Sequence, residues 1–114
     1  MKIQSMKVHE VTGNAPGAPP WRAGTVRVRQ LFLEILTDEG LNGFYGPIDL
    51  AAAMHVTSLL APELVGMDPL PWQRLWYDLL ARHRRHGWTG AIMMAIAAVA
   101  NTLWDLRGKA AGVP

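Results

Sequence analysis

The apolar residues of this chain change their spacing once, near residue 49, and this change limits the folds that the chain can adopt. In the segment that begins at residue 25, Val26 and Val28 alternate with arginines, which is the period of a β-strand with one covered face. After residue 91, apolar residues recur every three or four positions, as in an amphipathic helix: Ile92, Ile96, Val99, Leu103 and Leu106. Since the strand patterns precede the helix patterns and do not interleave with them, the sequence predicts an α+β fold.

Three strands are predicted in the first part of the chain, over residues 2–12, 25–37 and 41–45. The turn residues Asp38-Glu39-Gly40 connect the second strand directly to the third, so the three strands form an antiparallel meander. Between Leu31 and Leu36 both faces of the second strand are apolar apart from Glu34, which predicts that this end is covered on both faces. Residues 13–24 are rich in glycine and proline, and we predict that this whole segment is a loop.

About three helices are predicted in the second part of the chain. Asp49 is a good N-cap for a helix over about residues 50–60, which ends near Pro62. A second helix opens at Asp68-Pro69-Leu70-Pro71 and stops near Gly87. Its apolar stripe has helical spacing and consists of Trp72, Leu75, Trp76, Leu79 and Leu80. The third helix runs from about residue 91 to residue 110.

Composition narrows the classes of function. The chain has 114 residues, of which half are hydrophobic and 18% are charged, a balance typical of one folded domain. Its net charge of +2 gives no support to nucleic-acid binding, and the lack of cysteine excludes disulfides and thiolate metal sites. The longest apolar run, Ala91–Ala100, is about half of the ~20 residues that span a bilayer. We therefore expect a soluble, cytoplasmic protein without a membrane or nucleic-acid partner.

Three stretches from residue 37 onward carry recognisable motifs. Residues 37–47 read TDEGLNGFYGP, residues 60–70 read LAPELVGMDPL, and residues 103–109 read LWDLRGK, followed by GVP at the end of the chain. Together they resemble the N-terminal domain of the mandelate racemase/muconate lactonizing enzymes of the enolase superfamily. Ala100 and Thr102 depart from the carboxylate and alanine that are usual in that family. Gly46-Pro47 departs from its frequent Gly-Glu and is similar to some sugar-acid dehydratase-like members.

This resemblance implies that residues 1–114 are a capping domain, truncated before a C-terminal TIM barrel that this chain lacks. In the family the barrel holds the chemistry: three carboxylates bind magnesium, and a Lys or His removes a proton next to a substrate carboxylate. The chain has only three lysines, no Lys-x-Lys motif and no acidic cluster typical of magnesium. We therefore expect no catalytic and no metal-binding residue here, and the resemblance leaves open whether the 114-residue chain alone is an enzyme.

The implied parent is a magnesium-dependent lyase or isomerase acting on a small hydroxy acid or sugar acid, with a sugar-acid dehydratase favoured. Racemases, epimerases and lactonizing enzymes of the same family are the alternatives. Two further alternatives are not enzymes of this family. One is a truncated, non-catalytic oligomerisation or interaction module, and the other is a small α+β binding domain unrelated to enolases. The implied partners are the C-terminal TIM barrel, the acid substrate and further copies in a homo-oligomer.

Two loops are implied to close over the substrate, residues 13–24 and about residues 45–49. Trp21, Arg22 and Tyr45 are the candidate substrate-binding residues. Arginine pairs with carboxylates and sugar hydroxyls, and tryptophan excludes water. The competing interpretation is that Trp21 anchors its own loop, that Arg22 is solvated and that Tyr45 packs at the end of a strand.

Other conspicuous residues are interpreted as structural. We expect His55 to lie at or near the surface, and the basic run over residues 82–86 to have a structural or subunit-contact role. Trp72, Trp76 and Trp104 are predicted to lie in the core or at a domain interface. Asp105, Arg107 and Lys109 are interpreted as a solvated helix end or as ion pairs to the missing barrel.

Overall fold

The computed structural model describes residues 1–16 and 24–114, which form a three-stranded sheet followed by helices. The strands are β1 (Ile3–Pro16), β2 (Thr25–Thr37) and β3 (Asn42–Ile48), antiparallel in the order β1-β2-β3. The helices are α1 (Leu50–His55), α2 (Ala61–Leu64), α3 (Trp72–His83) and α4 (Gly90–Ala111). A π-helical turn (Val56–Leu60) joins α1 to α2, so that they form one helical segment. The predicted α+β meander with three helical segments is confirmed.

The first two strands extend further than the sequence predicts. Gly13 pairs with Val28 and Asn14 pairs with Arg27, and β1 continues to Pro16. The prediction that residues 13–24 are entirely loop is therefore wrong for residues 13–16. Glycine and proline are tolerated here because β1 is an edge strand and the proline is its last residue. At that position the missing backbone N–H of proline removes no hydrogen bond from the interior of the sheet.

The third strand ends well before this ribbon does. Ile48 at the end of β3 pairs with Leu31, so residues 25–30 of β2 lie beyond the last pair of β3. At about 3.3 Å per residue, β1 and β2 thus project roughly 20 Å past the three-stranded part of the sheet. Within the described residues this projection is a two-stranded ribbon.

The core lies between one face of the sheet and α4. Leu33 and Ile35 of β2 are completely buried on that face. All five positions of the predicted stripe on α4 are buried: Ile92, Ile96, Val99, Leu103 and Leu106. On the other face Phe32, Glu34 and Leu36 are only partly buried. The prediction of cover on both faces is wrong for the described residues, because the helices pack on one face only.

The first helical segment passes through the proline that was expected to end it. Asp49 caps α1, its Oδ2 accepting a hydrogen bond from the backbone N–H of Ala51 at 2.9 Å. In a regular α-helix the ring of Pro62 clashes with the carbonyl four residues earlier. Here Ala61 donates instead to the carbonyl of Val56, five residues earlier. This wider π turn immediately precedes Pro62, and the helical conformation continues to Leu64.

The helix α4 packs against the edge strand β3 at unusually close range. A Cβ atom added to Gly43 would lie 2.2 Å from the backbone oxygen of Thr102. The N–H of Phe44 donates to Asp105 Oδ2 at 2.8 Å, and Lys109 Nζ donates to the carbonyl of Asn42 at 3.0 Å. Asp105 and Lys109 also pair with each other at 2.7 Å. These two side chains therefore contact the edge strand of their own sheet, so the interpretation as a purely solvated helix end was wrong for them, and ion pairs to a barrel stay a prediction.

Over residues 1–16 and 24–114, none of the helices combines the length and the apolar character needed to cross a membrane.

Candidate functional site

The two loops that were expected to face a substrate leave the sheet at the same end. The backbone enters residues 17–23 from the end of β1 and returns at the start of β2, and β3 also ends on this side. Trp21 and Arg22 lie outside the described residues, so their roles stay predictions. The topology shows only that both connections lie toward the same end of the sheet, with the one after β1 at the tip of the projecting ribbon.

Tyr45 lies within β3, because residues 45–48 belong to the strand and not to a loop. The prediction of a loop over residues 45–49 was therefore wrong for these four residues. Leu33 pairs with Tyr45 and Leu31 with Ile48, so β3 holds one extra residue opposite β2. This is the geometry of a bulge, which re-aims side chains. The extra residue falls at Gly46-Pro47, which are joined by a cis peptide bond.

Gly46 explains why the bulge can form beside a large side chain. A Cβ atom at this position would lie 2.5 Å from Cδ1 of Phe32 and 3.0 Å from the carbonyl oxygen of Leu31. Only glycine allows β3 to approach β2 this closely at the bulge. The Tyr-Gly-Pro motif thus has a local structural reason, and it places Tyr45 at the wall of the cleft described next.

A cleft of about 190 Å³ lies between the end of β3 and the first half of α4. It is lined by Tyr45, Pro47, Asp49 and Met94, together with small side chains of α1 and α4. Its volume is below the ~300–1,000 Å³ of a complete small-molecule pocket. Tyr45, which is 38% exposed, contributes a hydroxyl group, whereas the Asp49 carboxylate already caps α1. The cleft is therefore suited to be one wall of a site that other residues complete.

The described residues that line the cleft include few groups that could bind a metal ion or transfer a proton. Among residues 1–16 and 24–114, no group of three His, Asp or Glu side chains is placed to hold a metal ion. Tyr45 can donate or accept a hydrogen bond, and the apolar lining can exclude water. The arrangement can orient a small polar ligand, but the described residues at the cleft include no paired acid and base.

A cluster on the outer face of the sheet was missed by the sequence analysis. His9 Nε2 lies 2.7 Å from Glu34 Oε2, and Asn42 Nδ2 donates to Glu34 Oε1 at 2.8 Å. Phe32 and Phe44 stack beside it with 5.5 Å between ring centroids. The sequence does indicate that these residues share the outer face, because they alternate with core positions on three adjacent strands. It does not indicate which of them are in contact, because that depends on the pairing register of the strands. The hydrogen bonds from Asn42, and then from His9, lower the pKa of Glu34.

The lowered pKa of Glu34 predicts a pH dependence of stability. Because the pKa of the folded state is below that of the unfolded chain, about 4.3, this group contributes stability that is fully present above that value. The contribution is lost as the pH falls through the folded-state pKa. We expect Asn42→Ala to raise the pKa of Glu34 and to weaken this dependence, as measured by NMR titration of the carboxyl carbon. Asn101→Ala, on the exposed side of α4, is the control; an unchanged Glu34 pKa in Asn42→Ala would contradict the assignment.

The basic run over residues 82–86, which begins in the last turn of α3, makes some of its contacts within the chain. Arg82 Nη1 lies 3.4 Å from Glu63 Oε2. The buried His83 Nε2 lies 3.1 Å from Glu63 Oε1, without the alignment of a hydrogen bond. These contacts hold the end of α3 against α2, which supports the structural part of the earlier interpretation. His55 is half-buried as expected, and its Nδ1 lies 2.8 Å from the carbonyl of Ala51 in its own helix.

Comparison with known proteins gives a consistent result. The family model described as mandelate racemase/muconate lactonizing enzyme, N-terminal domain, matches residues 6–114. The D-galactonate dehydratase of Xanthomonas axonopodis pv. citri is 42% identical over 93 residues, which are 75% of this chain and 23% of that protein. The D-galactonate dehydratase of Variovorax paradoxus is 39% identical over 99 residues, 82% of this chain and 25% of that protein. The chain thus spans about a quarter of the length of the curated relatives it matches.

Solved structures show the same domain. A mandelate racemase/muconate lactonizing enzyme-like protein from Rubrobacter xylanophilus superposes with a TM-score of 0.75 and 28% identity, covering 100% of this chain and 32% of that one. A protein of the same kind from Paracoccus denitrificans, complexed with magnesium, gives a TM-score of 0.73 and 27% identity. That match covers 97% of this chain and 28% of the other.

Proposed function

Because the chain belongs to the mandelate racemase/muconate lactonizing enzyme N-terminal domain family, matched over residues 6–114, we propose that it is the substrate-capping and specificity domain of a sugar-acid dehydratase. The observation that carries this proposal is the identity of about 40% to D-galactonate dehydratases over three quarters of the chain or more. A D-galactonate-like sugar acid is the proposed substrate class. Racemisation, epimerisation and lactonisation remain outcomes of the test below.

The proposed enzyme needs a partner domain for its chemistry. Dehydration of a sugar acid removes the proton next to the carboxylate and the neighbouring hydroxyl group as water. The described residues hold no cluster of ligands that fits magnesium and no acid and base pair at the cleft, so we assign the base and the metal to a C-terminal TIM-barrel domain. Magnesium is found with a related structure. The relatives, about four times longer than the matched segment, have room for such a domain.

The role of this chain is then to bind, orient and seal. Tyr45 supplies a hydroxyl group at the wall of the cleft, within reach of a substrate hydroxyl that rests there. Arg22 is proposed to pair with the substrate carboxylate or its hydroxyl groups, and Trp21 to exclude water. The support is topological, since both connections leave the sheet at the same end. A cytoplasmic homo-oligomer is part of the proposal.

A chimera tests this proposal. Residues 1–114 replace the matched N-terminal domain of the Variovorax paradoxus D-galactonate dehydratase, and the chimera is assayed with magnesium and D-galactonate. We expect dehydration, detected as the keto acid product. Epimerised or lactonised product, or no turnover of any sugar acid by a folded chimera, would contradict the proposed activity.

Single substitutions in the chimera test the proposed substrate contacts. Arg22→Gln removes a charge-assisted interaction, worth about 1.5–3 kcal/mol, so kcat/KM is expected to fall about 10- to 100-fold. Tyr45→Phe removes one neutral hydrogen bond, and we expect a fall of about three- to tenfold. Tyr77→Phe is the matched control, because Tyr77 is 64% exposed on α3 and does not line the cleft. If Tyr45→Phe behaves like Tyr77→Phe, the hydroxyl group of Tyr45 does not contact the substrate.

A further inference from the structure

A groove of about 620 Å³ lies at the end of α3 and shares no lining residue with the cleft beside Tyr45. We call it the Arg84 groove, and its lining consists of Ala81, Arg82, Arg84, Arg85 and Trp88. All five residues are exposed, and Trp88 is 64% exposed, although tryptophan is highly buried on average. Arginine and tryptophan dominate the binding energy of protein interfaces. The groove therefore has the composition of a binding surface.

The positive charge of the Arg84 groove is only partly neutralised by the rest of the domain. Arg82 Nη1 lies 3.4 Å from Glu63 Oε2, and the C-terminal end of α3 supplies a partial charge of about −0.5. Arg84 and Arg85 follow in a 3₁₀ turn, and no carboxylate of the described residues lies within salt-bridge distance of either guanidinium. About half a negative charge thus faces two full positive charges, which leaves an excess for a ligand.

The sequence concentrates this charge in one place. Between Asp78 and Asp105 no residue is acidic, whereas three of the eleven lysines and arginines lie there, and all three line the groove. Since the net charge of the whole chain is only +2, the positive field is local to the groove. A local field favours a short anionic segment over a nucleic acid, whose phosphate backbone needs an extended basic surface.

A second copy of this chain does not match the Arg84 groove. It would bring the same arginines to the contact, and like charges at an interface repel. Each of the nine carboxylates of the chain already has a hydrogen-bond or ion-pair partner within its own fold. A carboxylate taken from one of these contacts would leave its present partner unpaired. The matching acidic groups therefore have to come from a different protein.

We propose that the Arg84 groove binds an acidic segment of a separate protein. Two carboxylates of that segment pair with Arg84 and Arg85, and an apolar side chain packs on Trp88. The helix α4 begins two residues after Trp88, and its 22 residues extend for about 33 Å. A domain that follows α4 therefore starts at the far end of this helix, which leaves the groove open to a separate partner. The proposal does not depend on the proposed enzymatic activity.

Fluorescence anisotropy with a labelled acidic peptide tests this proposal. The probe has the sequence Glu-Glu-Leu-Glu-Glu, and a peptide with glutamine in place of each glutamate is its control. In about 50 mM NaCl we expect the 114-residue chain to bind the acidic peptide at least fivefold more tightly than the control. This preference is expected to disappear in about 500 mM NaCl, because salt screens exposed charges. Equal binding of the two peptides at low salt would overturn the proposal.

Paired substitutions separate the groove from the bulk charge of the chain. Arg84→Gln with Arg85→Gln is expected to weaken binding of the acidic peptide about five- to thirtyfold, because two exposed ion pairs are lost. Arg27→Gln with Arg29→Gln removes the same charge from exposed positions of β2 and is the matched control, with an expected change below about twofold. Equal losses in the two double variants would show bulk attraction only and would contradict a site at the groove.

The apolar contact has its own pair of variants. Trp88→Ala is expected to weaken binding of the acidic peptide about threefold or more. Tyr77→Ala is the control, because Tyr77 is also 64% exposed but does not line the groove. Equal effects of these two variants would rule out a contact between the peptide and Trp88.

Competition and the chimera decide which occupant is correct. If a single-stranded oligonucleotide or inorganic phosphate displaces the labelled peptide at lower concentration than the unlabelled peptide does, the site takes a nucleic acid or a small anion, and the proposal is wrong. In the Variovorax chimera we expect the acidic peptide to bind as it does to the isolated chain. Loss of binding in a folded chimera would show that the following domain or a second copy covers the groove, and it would overturn the proposal whether or not D-galactonate is dehydrated.

Discussion

Gly43→Ala is expected to destabilise the domain by about 3 kcal/mol, the upper end of the usual effect of overpacking. The new Cβ atom would lie 2.2 Å from the backbone oxygen of Thr102 and 3.0 Å from Cβ of Leu106. Neither atom belongs to the far end of a flexible side chain, so β3 or α4 must move as a whole. That movement also disturbs the contacts of Asp105 and Lys109 with β3.

Thermal and urea unfolding of Gly43→Ala measure this effect. For a domain of this size, the expected loss corresponds to a fall in Tm of about 10–20 °C. Gly13→Ala is the matched control, because Gly13 also lies in a strand but has no atom within 4 Å of the added Cβ. We expect its effect to stay within about 0.5 kcal/mol. If the two variants unfold alike, α4 does not lie as close to β3 as described.

Ile35→Ala is expected to cost about 3–4 kcal/mol. Ile35 has no exposed surface and belongs to the core between β2 and α4. Truncation removes buried apolar surface and leaves a cavity, for which losses of 2–5 kcal/mol are typical. The packing around this side chain is continuous, so we expect the surrounding residues to relax only in part.

Leu36→Ala tests whether the core is truly one-sided. Leu36 is adjacent in β2 but points to the outer face, where it is only partly buried. We expect a loss below about 1.5 kcal/mol in urea unfolding, because less apolar surface is removed from contact. A loss in Leu36→Ala as large as that in Ile35→Ala would indicate that something in solution covers the outer face.

The sequence predicts most of the fold because its periodicities reflect local burial. The bounds of β2, the buried stripe of α4 and the stop at Gly87 all agree with the structure. Gly87 has φ of +88°, a conformation in which glycine carries no steric cost. Each of these features depends on residues that are neighbours along one strand or helix. Hydrophobic periodicity and secondary-structure propensity report on such local relations.

What the sequence missed depends on contacts between distant segments. The ladder over residues 13–16 is formed by β2 and overrides the local preference of glycine and proline. Asp105 and Lys109 find their partners more than 60 residues away, on β3. At the candidate site the same limit applies, since the cleft beside Tyr45 combines β3, α1 and α4. Its position follows from packing, and no single segment encodes it.

The two-stranded ribbon has a consequence for how copies of this protein avoid one another. Over residues 25–30 no third strand of the described chain lies beside β2, so its backbone donors and acceptors on that side form an open template for a foreign strand. Arg27 and Arg29 are exposed at alternate positions along this template, and Arg29 lies 3.8 Å from Glu10. Charged side chains along an open edge disfavour pairing with another strand, and the same arginines on another copy would repel them. The two-stranded ribbon can therefore project from the sheet while its arginines disfavour edge-to-edge aggregation.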